Sequence, residues 1–137
     1  MPRFSIVVPA YNVEPYIREC LDSLVNQTFG DFEVICVDDA STDGTRAIIE
    51  EYCARDERVR LVVNPINMHL FATRHIGVRE TTGEYVTFVD GDDALTLDAL
   101  ENLDALLRED PVDILQFCMK VELEEGVEFE EDAWCFA

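Results

Sequence analysis

Positive charge is what this sequence lacks most clearly. It has 10 Lys and Arg residues against 30 Asp and Glu residues, which gives a formal net charge of −20 at pH 7. A surface this acidic repels polyanions, which argues against nucleic acid and against an anionic membrane surface as direct partners. Part of the charge is concentrated in residues 121–137, which contain many Asp and Glu residues and no base. We interpret that segment as a solvated acidic stretch.

Glycine, proline and long apolar runs are also scarce. The 137 residues include only 6 Gly and 5 Pro, and 48% of them are hydrophobic, which excludes a fibrous or disordered chain. The N-terminal apolar run is too short for a signal peptide, and no later run approaches membrane-spanning length. The length matches a single domain with one packed core.

The five cysteines are odd in number and never spaced as CxxC. Four of them, Cys20, Cys36, Cys53 and Cys118, lie among apolar neighbours. We expect reduced packing residues in a cytoplasmic protein, and we leave peripheral association with the inner face of a membrane open.

Short β-branched runs alternate with segments of helical periodicity. The runs predict strands over residues 4–8, 32–37, 59–63, 85–89 and 112–117. Apolar stripes predict a helix after each of the first four strands, and Thr96 is the predicted cap of the fourth helix. This alternation predicts an α/β fold, with a mainly parallel, doubly wound sheet that helices cover on both faces.

The stretch DASTDGTRAIIE, from Asp39 to Glu50, matches the spacing of a calcium-binding loop. A calcium hand requires a helix before the loop, whereas the apolar run before Asp39 predicts a strand. We therefore interpret the stretch as a strand-to-helix turn, with Ser41, Thr42 and Asp43 as candidate caps.

Polar residues collect after three predicted strands, as PAYN (9–12), Asp38 with Asp39, and DGDD (90–93). Open α/β sheets bind ligands at these carboxyl ends. We interpret Asn12 as a helix cap, as we do Asp43. The crowded carboxylates of DGDD repel one another by about 4 kcal/mol per pair at about 4 Å. A divalent cation would neutralise them, and a chain this acidic would need one to hold a diphosphate.

The segments VVPAYN, SLVNQTFGDFEVICVDDASTDGT (23–45) and GEYVTFVDGDD (83–93) together resemble the nucleotide-binding half of a family-2 glycosyltransferase with the GT-A fold. The resemblance covers about residues 4–117. It implies that residues 1–120 bind a nucleotide-diphosphate sugar, with residues 121–137 starting an acceptor half. The implied reaction moves the sugar of a UDP-sugar-like donor, with inversion and with Mn or Mg, to a hydroxyl of a glycan or lipid-linked acceptor.

The resemblance also implies roles for the first two clusters. Pro9, Ala10 and Tyr11 would line the pocket for the base. Asp39 would accept a hydrogen bond from a uracil-like ring N–H, and Asp38 would support the turn or the ribose.

The DXD motif of the family falls on Asp90, Gly91 and Asp92. Asp92 would be the main metal ligand, with Asp90 directed toward the ribose or the metal and Asp93 supporting them. Arg74 matches an arginine that lies near the donor in the family. The implied general base lies beyond residue 137.

The segment around Arg74 departs from the family pattern. His69 stands where Gly is common, Phe71 where a small polar residue is common, and His75 where Asn is common. We interpret both histidines as surface or partly packed residues without a ligand role.

Other functions also fit parts of the pattern. A receiver-like signalling domain shares the size, the parallel sheet and an acidic Mg-binding pocket, but it requires paired acids after the first strand, where this chain has PAYN. A phosphatase of the DxD type requires acids there too. A non-catalytic domain that binds only a nucleotide or a protein partner remains a further alternative. The sequence makes no prediction about oligomeric state.

Overall fold

The computed structural model describes residues 1–117, in which strands and helices alternate strictly. The strands are β1 (Phe4–Ala10), β2 (Phe32–Asp38), β3 (Val59–Val63) and β4 (Tyr85–Phe88). The helices are α1 (Ile17–Val25), α2 (Thr45–Arg55), α3 (His69–Arg79) and α4 (Ala99–Glu109). The predicted α/β class and the first four predicted strands are confirmed.

The four strands form one parallel sheet in the order β3-β2-β1-β4. In this register Ala10 of β1 lies beside Asp38 of β2, and Val7 of β1 lies beside Phe88 of β4. The carboxyl ends of β2, β1 and β4 therefore meet along one edge of the sheet. The three polar clusters of the sequence follow these ends.

Helices cover both faces of the central strand β1, which is buried along its whole length. On one face Ile6 and Val8 join a core cluster with apolar residues of α1 and α4, including Ile17 and Leu100. On the other face α3 packs against β1. The approach is so close at Gly77 that a Cβ atom there would clash with the side chain of Val7. The prediction of a sheet covered on both sides is confirmed for β1.

Two details of the prediction are wrong. Residues 112–117 do not form a strand: Val112 and Leu115 pack against the core as partly buried side chains, which buries apolar surface without pairing to β4. The side chain of Tyr85 donates a hydrogen bond to the Val112 carbonyl (3.1 Å) and holds the segment there. The cap of α4 is Asp98 rather than Thr96, which lies two residues before it.

The cysteine prediction is confirmed where the structure describes it. Cys20 and Cys36 are buried, Cys53 is partly buried, and all three are free thiols. Burial raises the pKa of the Cys20 thiol to about 12. Cys118 and the acidic segment 121–137 lie outside the described residues. Within residues 1–117, no helix is long and apolar enough to cross a membrane.

Candidate functional site

A cavity of about 580 Å³ opens at the carboxyl edge of the sheet. It lies where the chain leaves β1, β2 and β4. Seven residues predicted for the site line it, namely Pro9, Ala10, Tyr11, Asp39, Asp90, Gly91 and Asp92. The remaining lining residues are Val13, Asn67, His69, Leu70 and Thr73. The topology thus brings together residues that are up to about eighty positions apart in the sequence.

The end of β1 connects the two loops that flank it. The Ala10 carbonyl accepts a hydrogen bond from the Asp39 N–H (2.8 Å), and the Pro9 carbonyl accepts one from the Gly91 N–H (3.2 Å). A Cβ atom at Gly91 would lie 3.0 Å from Cγ2 of Val13 and 3.3 Å from the Pro9 oxygen. A side chain at position 91 would have to displace these atoms by a few tenths of an ångström, so glycine suits the close approach of the acidic loop to β1.

Asp39 is the most constrained carboxylate at the cavity. Its Oδ1 accepts hydrogen bonds from Nδ2 of the buried Asn64 (2.8 Å) and from the Met68 N–H (2.7 Å). Burial alone raises the pKa of a carboxyl group, but these hydrogen bonds outweigh burial and lower the pKa of Asp39. Both bonds go to Oδ1, so that Oδ2 is the oxygen available to accept a hydrogen bond from a ligand.

Asp38 lies beneath the turn rather than on the cavity wall. Its side chain is buried, and Oδ1 accepts a hydrogen bond from the Ser41 N–H (3.4 Å). Of the two roles implied for Asp38, this position fits support of the turn.

Asn12 does not cap α1, which contradicts the sequence interpretation. The cap position is Tyr16, and Asn12 adopts a left-handed backbone with φ of 50°. Its Oδ1 accepts a hydrogen bond from the Thr42 N–H (2.8 Å), while its own N–H donates to Oγ of Ser41 (3.1 Å). Asn12 therefore joins the loop after β1 to the loop after β2.

The stretch from Asp39 to Glu50 forms the expected strand-to-helix turn. The cap position of α2 is Gly44, so the prediction of Ser41, Thr42 or Asp43 as the cap residue is wrong. Asp43, one residue earlier, still accepts a hydrogen bond from the N–H of Thr45, the first residue of α2 (3.0 Å). Glu50 forms an ion pair with Arg46 (2.9 Å) on the exposed side of α2.

In the described part of the chain no group of three or more His, Cys, Asp or Glu side chains is arranged to hold a metal ion.

The acidic loop, which we define as residues 90–98, is partly neutralised by a base on α3. Nη2 of Arg74 lies 2.6 Å from Oδ1 and 2.9 Å from Oδ2 of Asp90. The guanidinium also stands over the ring of Phe88, 5.5 Å from its centroid. Nε of Arg74 is buried without a hydrogen-bond partner in the described structure. Arg74 itself is not among the residues that line the cavity.

Asp92 and Asp93 carry the remaining negative charge of the DGDD motif. The pKa of Asp93 is raised by burial first, then by the charges of Asp92 and Asp90. A cation beside these carboxylates would relieve that repulsion. Mg²⁺ is commonly held by one or two carboxylates together with phosphate oxygens of the substrate. Asp92 on the cavity wall and the neighbouring Asp93 fit this mode, which does not require a preformed cluster of three acids.

The backbone at the start of α3 has a conformation that would suit glycine at position 69. His69 has a φ of 63°, a left-handed conformation that glycine adopts without strain. Both His69 and His75 are exposed, as predicted, and Phe71 is 88% exposed.

Sequence reasoning missed Asn64, Asn67 and Thr73 as site residues. Asn64 and Asn67 follow β3. We took the polar residues after the carboxyl ends of the other three strands as site candidates, and the same criterion applied to β3 would have included these two residues. Thr73 lies on α3, and only the packing of that helix brings it to the cavity.

An α/β domain with an acidic ligand cavity at the carboxyl edge of a parallel sheet is the class that these observations define. The chain belongs to glycosyl transferase family 2, whose sequence profile matches residues 5–133. The uncharacterized glycosyltransferase EpsJ of Bacillus subtilis is 41% identical over 115 residues, which are 84% of this chain and 33% of EpsJ. This chain therefore spans about a third of that relative's length.

Solved structures agree with this assignment and show the GT-A fold. The crystal structure of Staphylococcus aureus TarS 1–349 in complex with UDP-GlcNAc superposes with a TM-score of 0.74 at 38% identity, over 78% of this chain and 31% of that one. The mannosyltransferase PcManGT of Pyrobaculum calidifontis, in complex with GDP-Man and Mn²⁺, gives 0.73 at 32% identity, over 80% and 33%. Family membership excludes the receiver-like alternative.

Proposed function

We propose that residues 1–120 are the donor-binding core of an enzyme that transfers a sugar from a nucleotide diphosphate to an acceptor hydroxyl. The observation that carries this proposal is the cavity, which is lined by Tyr11 and Asp39 at one end and by Asp90 and Asp92 at the other. A nucleotide diphosphate has matching chemistry, with an aromatic base that bears a ring N–H and an anionic diphosphate.

The base binds at the end of β1 in this proposal. Pro9, Ala10 and Tyr11 supply its apolar walls, and Asp39 supplies an ionised acceptor for the ring N–H. The lowered pKa of Asp39 keeps the carboxylate charged, and the bonds from Asn64 and Met68 fix its direction. Uracil is the favoured base, in keeping with the UDP-GlcNAc of the TarS complex. Guanine also has a ring N–H, so GDP is the comparison to make.

The diphosphate binds at the acidic loop. Asp92, with Asp93 in support, would hold a Mn²⁺ or Mg²⁺ ion, and Asp90 would bind this ion or the ribose. When bound, such an ion neutralises the charge that develops on the departing nucleotide diphosphate. Arg74 contributes a positive charge beside the same loop, and its partly exposed guanidinium supplies a charged donor for a phosphate oxygen.

Transfer proceeds with inversion, which requires a carboxylate base on the acceptor side of the sugar. We place that base beyond residue 137, and we propose that residues 121–137 begin the acceptor half. The acceptor is a glycan or a lipid-linked hydroxyl, at the cytoplasmic face of a membrane. The name of the relative TarS, a poly(ribitol-phosphate) beta-N-acetylglucosaminyltransferase, supports a polymeric acceptor.

A panel of nucleotides tests this proposal. Calorimetric titrations with UDP, GDP, ADP and CDP, each with Mn²⁺ and with EDTA, should show binding of UDP that is tighter in Mn²⁺. Tighter binding of GDP would keep a donor site but change the base. Absence of binding for every nucleotide would refute the proposed donor site.

A further inference from the structure

The segment SLVNQTF (23–29) contains a buried polar side chain that the proposed donor site does not use. Gln27 follows the end of α1 and is 7% exposed. Its Nε2 donates to the carbonyls of Ser23 (2.9 Å) and Thr96 (2.7 Å), and its Oε1 accepts from the N–H of Leu100 (3.0 Å). A glutamine amide has two N–H donors and one carbonyl, so both donors and the acceptor are engaged.

Gln27 acts as a cap for α4 from the segment that follows α1. The first turn of any helix leaves backbone N–H groups without a partner, and the cap residue Asp98 makes no side-chain hydrogen bond to this turn. Leu100 is the second residue of α4, and its N–H is satisfied by Gln27. The same amide holds the Thr96 carbonyl near the end of the acidic loop. Gln27 thus fixes the point where this loop becomes helix.

Two further side chains of α1 hold the same loop. Cys20 Sγ donates to the carbonyl of Asp90 (3.6 Å), and Ser23 Oγ accepts from the N–H of Leu95 (3.1 Å). Cys20 and Ser23 are three positions apart and lie on one side of α1, and Gln27 follows two residues after the end of this helix. We call these three residues the anchor face of α1. Its hydrogen bonds reach the start, the middle and the end of the loop that carries Asp92.

We propose that the anchor face is a positioning device for the cation and diphosphate end of the donor site, with Gln27 as its principal residue. This inference rests on the proposed function. Asp92, Asp93 and Ala94 are exposed and gain little fixation from packing. The Gly91 N–H bond to the Pro9 carbonyl holds the start of this stretch against β1. The remaining hold comes from hydrogen bonds made at Asp90, Leu95 and Thr96. The base end of the cavity, formed by β1 and Asp39, does not contact Gln27.

The test separates positioning from general stability by comparing UDP affinity in Mn²⁺ with UDP affinity in EDTA. We define the metal gain as the Kd for UDP in EDTA divided by the Kd in Mn²⁺. Groups that orient metal ligands typically contribute about 10- to 100-fold to metal affinity. Gln27→Ala should therefore reduce the metal gain about tenfold or more, while the Kd in EDTA stays unchanged.

The matched control is Asn26→Ala, one position away. Asn26 is exposed, and its amide donates only within α1, to the Asp22 carbonyl (2.8 Å). This variant should retain the wild-type metal gain. If Gln27→Ala fails to fold, Ser23→Ala takes its place. This substitution removes only the hydroxyl that accepts from the Leu95 N–H and donates to the Cys20 carbonyl. Ser23→Ala should lower the metal gain as well.

Each result is decisive. A wild-type chain that binds none of the four nucleotides, or that shows no metal gain with the nucleotide it binds, overturns the proposed function and this inference together. A metal gain that persists in Gln27→Ala overturns this inference but leaves the proposed function intact. If Gln27→Ala does not fold, a metal gain that persists in Ser23→Ala has the same meaning. An equal loss of affinity in EDTA and in Mn²⁺ shows a structural role and also overturns it.

Discussion

Arg74 and Asp90 form an ion pair across the cavity edge, with Nη2 of the arginine 2.6 Å from Oδ1 of the aspartate. Both side chains are about one third exposed, at 37% and 34%. The pair neutralises the first acid of DGDD and leaves the charge of Asp92 and Asp93 for a cation. It also holds the Arg74 guanidinium beside Asp90, near the site proposed for the diphosphate.

Replacing Arg74 should affect the cation and the nucleotide in opposite directions. Arg74→Gln removes a positive charge beside the acidic loop, so Mn²⁺ alone should bind more tightly. UDP in Mn²⁺ should bind more weakly by about 1–2 kcal/mol, the value of a partly screened charged hydrogen bond, or about 5- to 30-fold. Calorimetric titration of both ligands measures these changes.

The control for Arg74 is Arg79→Gln, at the exposed end of the same helix. It changes the net charge equally and should leave both affinities near the wild-type values. If both variants changed Mn²⁺ and UDP affinity alike, only the overall charge of the protein would matter, and the specific role of Arg74 would be refuted.

Asp93 should destabilise the protein in the absence of a cation. Its pKa in the folded state is raised, so the folded protein binds this proton more tightly than the unfolded chain does. Stability is therefore lost as pH rises from the ordinary value of 3.8 through the folded pKa. At pH 7 without metal, Asp93→Asn should raise Tm by about 1–3 °C, which corresponds to a few tenths of a kcal/mol after solvent screening.

Asp113→Asn is the charge-matched control for Asp93. Asp113 is exposed and lies next to Val112, near the amino end of β4 and away from the acidic loop. A thermal melt should show a smaller rise for this variant. Equal rises in Tm would mean that the general excess of negative charge, and not repulsion within the acidic loop, lowers the stability of the protein.

Asp39 should make the opposite contribution to stability. Its folded pKa is lowered, so its stabilising effect is complete above the ordinary value of 3.8 and is lost as pH falls through the folded pKa. Asp39→Asn weakens the hydrogen bonds to Asn64 and Met68 and should cost about 1 kcal/mol at pH 7. Urea unfolding of both proteins should show this difference shrinking below about pH 4. A difference independent of pH would contradict the assignment.

Gly91 should tolerate no side chain without moving the acidic loop. In Gly91→Ala the new Cβ presses on Val13 and on the Pro9 carbonyl, which costs about 1–3 kcal/mol of stability or displaces the loop. UDP affinity in Mn²⁺ should fall. Gly30→Ala is the control, because a Cβ there meets no atom within 4 Å. If both variants kept the stability and the UDP affinity of the wild type, the close approach of Gly91 to Val13 and Pro9 would have no role in binding.

The sequence predicts the strands well because each is a short and largely apolar run, although β3 and β4 are only partly buried. β1 and β2 are almost continuous runs of buried residues, and their carboxyl ends are marked by PAYN and by Asp38 with Asp39. Once a parallel sheet is inferred, these clusters must share an edge. Most of the cavity lining follows from that step.

Long-range side-chain bonds explain what sequence reasoning did not find. The role of Asn12 as a loop connector depends on Thr42, thirty positions away, and the cap of α4 depends on Gln27, just after α1. The run at 112–117 has the composition of a strand, yet it packs by side chains alone. Local propensity carries no information about such partners.

The measurement that tests the central claim most directly is UDP titration of Asp92→Asn in Mn²⁺, beside wild type and Asp113→Asn. If Asp92 holds the cation that binds the diphosphate, the metal gain should disappear in Asp92→Asn and persist in the control, while the affinity in EDTA stays the same. A full metal gain in Asp92→Asn, or metal-independent binding by wild type, would contradict the account.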